Sequence, residues 1–167
     1  VRPVLLNSWE AAYFDINERK LLALAKKAKE AGVELFVMDD GWFGERNDDA
    51  HSLGDWEVNE KKLPGGLGDW FVNEKKLGGT LGDLIKKIND LGVKFGIWVE
   101  PEMVNVNSHL YQAHPDWTIE IPGKPHAEGR NQRILDLTRR EVQDYIIETM
   151  TNVFSSAEIS YVKWDMN

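Results

Sequence analysis

Leu91-Gly92-Val93-Lys94-Phe95-Gly96-Ile97-Trp98-Val99-Glu100 is the stretch from which the fold can be read. Gly92 closes an amphipathic run that begins near Leu81, as glycine does just past a helix. The seven residues that follow are nearly all apolar, the pattern of a strand covered on both faces. That strand delivers a carboxylate at its tip. The same phrasing occurs earlier. A helix capped by Asp15 or Asn17 shows Leu21, Leu24, Ala25 and Ala28 on one side and Lys20, Lys26, Lys27 and Lys29 on the other. Gly32 stops it, and Glu34-Leu35-Phe36-Val37-Met38 runs as a strand into Asp39-Asp40-Gly41-Trp42.

Working outward, Val4-Leu5-Leu6 is a first strand ending in Asn7-Ser8. A third helix starts near Arg139, with Val142, Tyr145, Ile146, Thr149, Met150 and Val153 at helical spacing. Residues 159–164 form a last strand that ends in Asp165. Between the strand that ends at Glu100 and this third helix, residues 103–130 read as a long loop and 131–137 as partly extended. The order β-α-β-α-β-α-β predicts parallel strands with right-handed crossovers. An open doubly wound sheet and part of a (β/α)8 barrel both fit. No G-x-G-x-x-G turn follows the first strand, which weighs against a dinucleotide fold. A complete barrel needs about 250 residues, so four strands amount to about half of one.

Composition narrows the function. The net charge is -8, from 28 acidic and 20 basic residues, with no basic cluster. A phosphate-binding surface wants the opposite sign, so nucleic acid is not an expected partner. No apolar run approaches a membrane span, and Val1-Arg2-Pro3-Val4 does not read as a signal peptide but as chain already inside a fold. There is no cysteine, which excludes disulfides, thiolate metal sites and a cysteine nucleophile and fits a cytoplasmic location. Seven Trp in 167 residues is high, and some are expected to line a site.

One segment repeats. Leu53-Gly54-Asp55-Trp56-Glu57-Val58-Asn59-Glu60-Lys61-Lys62-Leu63 recurs, shifted by 14 positions, as residues 67–77, with Phe71 in place of Glu57. Leu81-Gly82-Asp83 starts the same way. Repeat arrays use units of about 20 to 50 residues, so a tandem duplication of one loop segment is the favoured reading over a solenoid.

Chemistry gathers just past the strands. Asn7, Ser8, Trp9 and Glu10 follow the first, and Asp39, Asp40 and Trp42 the second. Trp98, Glu100 and Glu102 come at the third, and Lys163, Asp165 and Asn167 at the fourth. In a parallel sheet all these ends share one face. Carboxylates and amides bind sugar hydroxyls, indoles stack on the C–H face, and paired carboxylates cleave glycosidic bonds. Bland alternatives stand beside each: a turn at Asp39-Asp40-Gly41, core packing for Trp98, a salt bridge between Lys163 and Asp165, an exposed loop arginine at Arg130. His51, His109, His114 and His126 lack metal-ligand spacing and read as loop residues.

Five motifs, in order, resemble bacterial α-galactosidases of glycoside hydrolase family 36. They are Arg2-Pro3-Val4-Leu5-Leu6-Asn7-Ser8-Trp9-Glu10-Ala11, Phe36-Val37-Met38-Asp39-Asp40-Gly41-Trp42-Phe43-Gly44, Gly96-Ile97-Trp98-Val99-Glu100-Pro101-Glu102-Met103, His114-Pro115-Asp116-Trp117 and Tyr161-Val162-Lys163-Trp164-Asp165-Met166-Asn167. The resemblance spans essentially the whole chain. It implies a parallel (β/α)8 TIM-type barrel, of which residues 1–167 would be the first half, with a duplicated loop at 53–80. It implies retaining hydrolysis of terminal α-galactosides of the raffinose or melibiose type, without metal or organic cofactor, in a homo-oligomeric parent. Asp165 takes the position of the nucleophile. Asp39, Asp40, Trp98, Arg130, Lys163 and Asn167 take sugar-binding positions. The family's acid/base comes from a later strand, so this chain alone is expected to be inactive. The alternative from another class is a non-catalytic, sugar-binding or self-associating half-barrel.

Overall fold

The computed structural model describes residues 2–57 and 80–166. The second copy of the repeat, the end of the first copy and Asn167 therefore lie outside the described residues. The chain runs β1 (Leu5–Asn7), α1 (Trp9–Ala12), α2 (Glu18–Glu30), β2 (Leu35–Met38), α3 (Leu81–Asp90) and β3 (Lys94–Val99). It continues through β4 (Met103–Asn105), α4 (His109–Ala113), a 3-10 turn at Pro115–Trp117, β5 (Gln132–Ile134), α5 (Arg140–Ser155) and β6 (Tyr161–Trp164).

Four strands form one parallel sheet in the order β1-β2-β3-β6. Chain neighbours pair directly, with Leu5 opposite Leu35, Phe36 opposite Phe95, and Trp98 opposite Lys163. The helices between them are fixed by local chemistry. Asn17 caps α2 by accepting from the Lys20 N–H at 3.0 Å. Thr80 and Asp83 form a reciprocal capping box on α3. Gly32 and Gly92 take φ of +84° and +76° past the two helix ends, a region open to glycine at little cost.

The buried faces are those the periodicity predicts. Leu21, Ala25 and Ala28 of α2, Leu84, Ile85 and Ile88 of α3, and Val142, Ile146, Met150 and Val153 of α5 are buried. They cover a sheet whose central strands carry Phe36, Met38, Phe95 and Ile97 at no exposure. The edges differ from the expectation of strands covered on both faces. Leu5 on β1 is 40% exposed, and Tyr161 and Trp164 on β6 are 41% and 47% exposed.

The supposed long loop after β3 holds structure of its own. β4 and β5 pair antiparallel, Met103 opposite Ile134 and Asn105 opposite Gln132. The start of the first repeat copy packs beneath this pair, with Leu53 fully buried and Trp56 6% exposed. The Asp55 carboxylate accepts the His109 and Leu110 N–H groups and so caps α4.

Candidate active site

The site begins with where strands end. β2 finishes at Met38, and the next two residues, Asp39 and Asp40, are 3% and 6% exposed. Burying two adjacent carboxylates requires partners. Asp39 receives the Asn7 side-chain amide at 2.6 Å and the Lys163 ammonium at 2.8 Å on Oδ2, and the Asp40 N–H at 2.9 Å on Oδ1. Its own N–H donates to Ser8 Oγ at 3.0 Å. β1, β2 and β6 are thus tied at their tips by one carboxylate.

Asp40 is held by a residue that sequence reasoning missed. Arg46, 1% exposed, donates from Nε at 3.0 and 3.2 Å to the two Asp40 oxygens and from Nη2 at 2.8 Å. Its Nη1 reaches the His51 carbonyl at 2.9 Å, and the guanidinium lies over the Phe14 and Phe43 rings. Burial pushes the Asp40 carboxyl above its usual range, and the Arg46 guanidinium pulls it part of the way back. A lone arginine in Gly44-Glu45-Arg46-Asn47 gives no periodic signal, and only the loop's folding brings it to Asp40.

Lys163 and Asp165 do not pair with each other. Lys163 goes to Asp39, and Asp165 Oδ2 accepts the Trp98 indole N–H at 3.1 Å. Trp98 is 2% exposed and stacks parallel to Phe43 at 6.2 Å. It is both a core residue and an orienting donor, so the two readings of it were not exclusive. Trp42 turns away, fully buried, its indole N–H on the Trp98 carbonyl at 2.9 Å. Glu102 accepts from Trp164 Nε1 at 2.8 Å and does not line the cavity.

Asp39, Asp40, Trp98, Arg130, Lys163 and Asp165 line one cavity of about 240 Å3, with Trp9 and Glu100 also on its wall. Six of the seven residues expected to bind or react with sugar are therefore brought together, and the seventh, Asn167, lies outside the described residues. Among the described residues no group of three or more His, Cys, Asp and Glu side chains is arranged to hold a metal ion. No helix among them is long and apolar enough to cross a membrane.

Carboxylates, an ammonium and indoles thus gather around one cavity at the C-terminal ends of parallel strands, the end at which β/α folds carry their sites. The chain belongs to the melibiase family, whose model matches residues 1–68 and 65–167. The two matched pieces overlap at residues 65–68, where the second repeat copy begins, and each piece holds one whole copy. The α-galactosidase AgaA of Geobacillus stearothermophilus is 56% identical over 166 residues, covering 99% of this chain and 21% of AgaA. Its crystal structure superposes with a TM-score of 0.88 at the same coverage. A variant of AgaA in complex with raffinose gives 0.87 at 55% identity, covering 99% of this chain and 21% of the variant. The bifunctional α-galactosidase/sucrose kinase AgaSK of Mediterraneibacter gnavus is 52% identical over 99% of this chain and 16% of its own length. The chain thus spans about a fifth of AgaA and less of AgaSK.

Proposed function

We propose that these residues form the nucleophile-bearing side of an α-galactosidase active site. The observation that carries this reading is Asp165: a carboxylate at the tip of β6, held by the Trp98 indole, sharing its cavity with Asp39, Asp40 and Lys163. Asp165 attacks the anomeric carbon of a terminal α-galactoside as the glycosidic C–O bond breaks. A second carboxylic acid protonates the leaving oxygen, then takes a proton from the water that releases galactose. In a retaining enzyme that acid stands about 5 Å from the nucleophile, and here it would come from sequence other than these residues. Asp39, Asp40, Lys163, Trp98, Arg130 and Asn167 bind the sugar's hydroxyls and apolar face. Oligosaccharides of the raffinose type are the substrate class, supported by the raffinose complex of the AgaA variant.

The same proposal covers the architecture. The four-stranded sheet is the first half of a (β/α)8 barrel, residues 1–167 being a partial catalytic domain with a surplus loop copy within 53–80. The half-exposed edges β1 and β6 suit further strands on either side. The cysteine-free composition suits a cytoplasmic parent, and the family resemblance implies a homo-oligomeric one.

The test is a graft in which these 167 residues replace the matching segment of AgaA. The graft should release p-nitrophenol from an aryl α-galactoside, and Asp165→Asn should abolish release. An Asp165→Asn graft that retains activity rejects the assignment. The open edges also favour a second reading, in which two copies of the chain close one barrel. That reading predicts a dimer by light scattering and no galactose release by the chain alone.

A further inference from the structure

Two loops, the one after β2 and the one before β5, meet at one side chain of β4. Asn105, on β4, has no exposure and does not line the cavity. Its Oδ1 accepts the Leu53 N–H at 2.7 Å and Arg46 Nη1 at 3.2 Å. Its Nδ2 donates to the Arg130 and Asn131 carbonyls, both at 3.2 Å, and approaches the Asp49 carbonyl at 3.5 Å. Two donors face the oxygen and three carbonyls face the nitrogen, so only one orientation of the amide satisfies the site.

The segment that this amide holds is strained. Arg130 and Asn131 both have φ of 55°, the left-handed region, in succession and without glycine. Such a pair persists only where its surroundings over-determine it. The surroundings are the Asn105 amide, the Val106 N–H on the Asn131 carbonyl at 2.9 Å, and Gln132 Nε2 on the Asp49 carbonyl at 2.8 Å. Arg130 lines the cavity through this conformation, and Arg46, on the other face of the amide, holds Asp40.

We propose that Asn105 is a positioning residue that sets galactoside affinity through Arg130, by pinning the Arg130 and Asn131 carbonyls, without touching the sugar itself. The inference rests on the proposed α-galactosidase reading and adds a residue to it. Arg130 binds hydroxyls of the resting substrate. Misplacing it removes binding shared by ground state and transition state, which raises KM and spares kcat.

The test uses the graft into AgaA. Asn105→Asp keeps acceptors for Leu53 and Arg46 but turns an acceptor toward the three carbonyls. Asn105→Ala removes the same donors without adding charge, and with them the acceptor for Leu53 and Arg46, so the two variants share only the lost donors and a defect peculiar to one does not decide the matter. For both, KM for an aryl α-galactoside should rise about tenfold, the loss expected for one broken hydrogen bond to a buried partner, with kcat within about twofold. A merely structural defect does the reverse: fewer folded molecules lower apparent kcat and leave KM alone. Arg130→Ala should raise KM similarly, and Asn105→Asp added to it should raise KM no further. Unchanged KM in both Asn105 variants, or effects that multiply in the double variant, overturns the inference alone. An unchanged KM in Arg130→Ala overturns the sugar-binding role of Arg130 and the inference with it, while Asp165→Asn independently tests the reaction.

Discussion

Arg46 holds a full charge at 1% exposure and donates three hydrogen bonds to the buried Asp40 carboxylate. Removing one partner of a buried pair strands the other, at a cost of about 3–5 kcal/mol. Arg46→Met should therefore destabilise strongly, and the loss should depend on pH. Burial already holds the Asp40 carboxyl above its usual range, and Arg46 gives the largest opposing pull. Without the guanidinium its pKa rises further. A carboxyl whose folded pKa is raised contributes stability that is fully present below the unfolded value and lost as pH rises through the folded value. The gap between native protein and Arg46→Met should thus be small near pH 4 and widen toward neutrality. Urea unfolding at several pH values measures it, and a pH-independent gap would remove Asp40 from the account. At this scale, legibility followed position on strands. Asp39, Lys163 and Asp165 stand at strand tips, where the parallel topology aims them at one mouth. Arg46 and Asn105 act through partners that loops deliver, 6 and 25 or more residues away, and no spacing rule connects them.

Elements were legible where one stretch of chain carries the whole reason for them. α3 has its cap, its stripe and its stop within residues 80–92, so its bounds were readable to within a residue. The cap is also testable in isolation. Thr80→Ala removes the Asp83 N–H acceptor at 3.0 Å and should cost about 1 kcal/mol. Thr80→Ser should restore most of it. A thermal midpoint unchanged in Thr80→Ala would show that tertiary packing alone sets the start of α3. By contrast, β4 and β5 are three residues each and exist because they pair with one another. α4 is a five-residue turn capped partly by Asp55, which lies more than fifty residues earlier. Neither has a periodic pattern to read. Gly54 belongs with them: at φ +106° an added Cβ would sit 2.9 Å from Val104 Cγ2. Gly54→Ala combines backbone strain with overpacking and should destabilise by about 1–3 kcal/mol, measured by urea unfolding.

For the molecule as a whole, the duplicated segment poses a question of surplus. Leu53, Gly54, Asp55 and Trp56 meet β4 and α4 through burial, backbone hydrogen bonds and a helix cap, and they leave one seat for one Leu-Gly-Asp-Trp sequence. Residues 53–56 and 67–70 are both Leu-Gly-Asp-Trp. Deleting 53–66 and deleting 57–70 therefore produce the same chain, which keeps a single occupant for that seat and keeps the Thr80 cap. The connection to α3 shortens by 14 residues. Loop-closure entropy changes slowly with length, so the shortening should stabilise by roughly 1 kcal/mol or less. For a chain of this size that raises the thermal midpoint by at most roughly 2–4 °C. The deletion variant should keep its far-UV circular dichroism and, in the AgaA graft, its turnover of an aryl α-galactoside. A large drop in midpoint, or loss of turnover with the fold intact, would mean that both copies are needed and that the second is part of the site's rim.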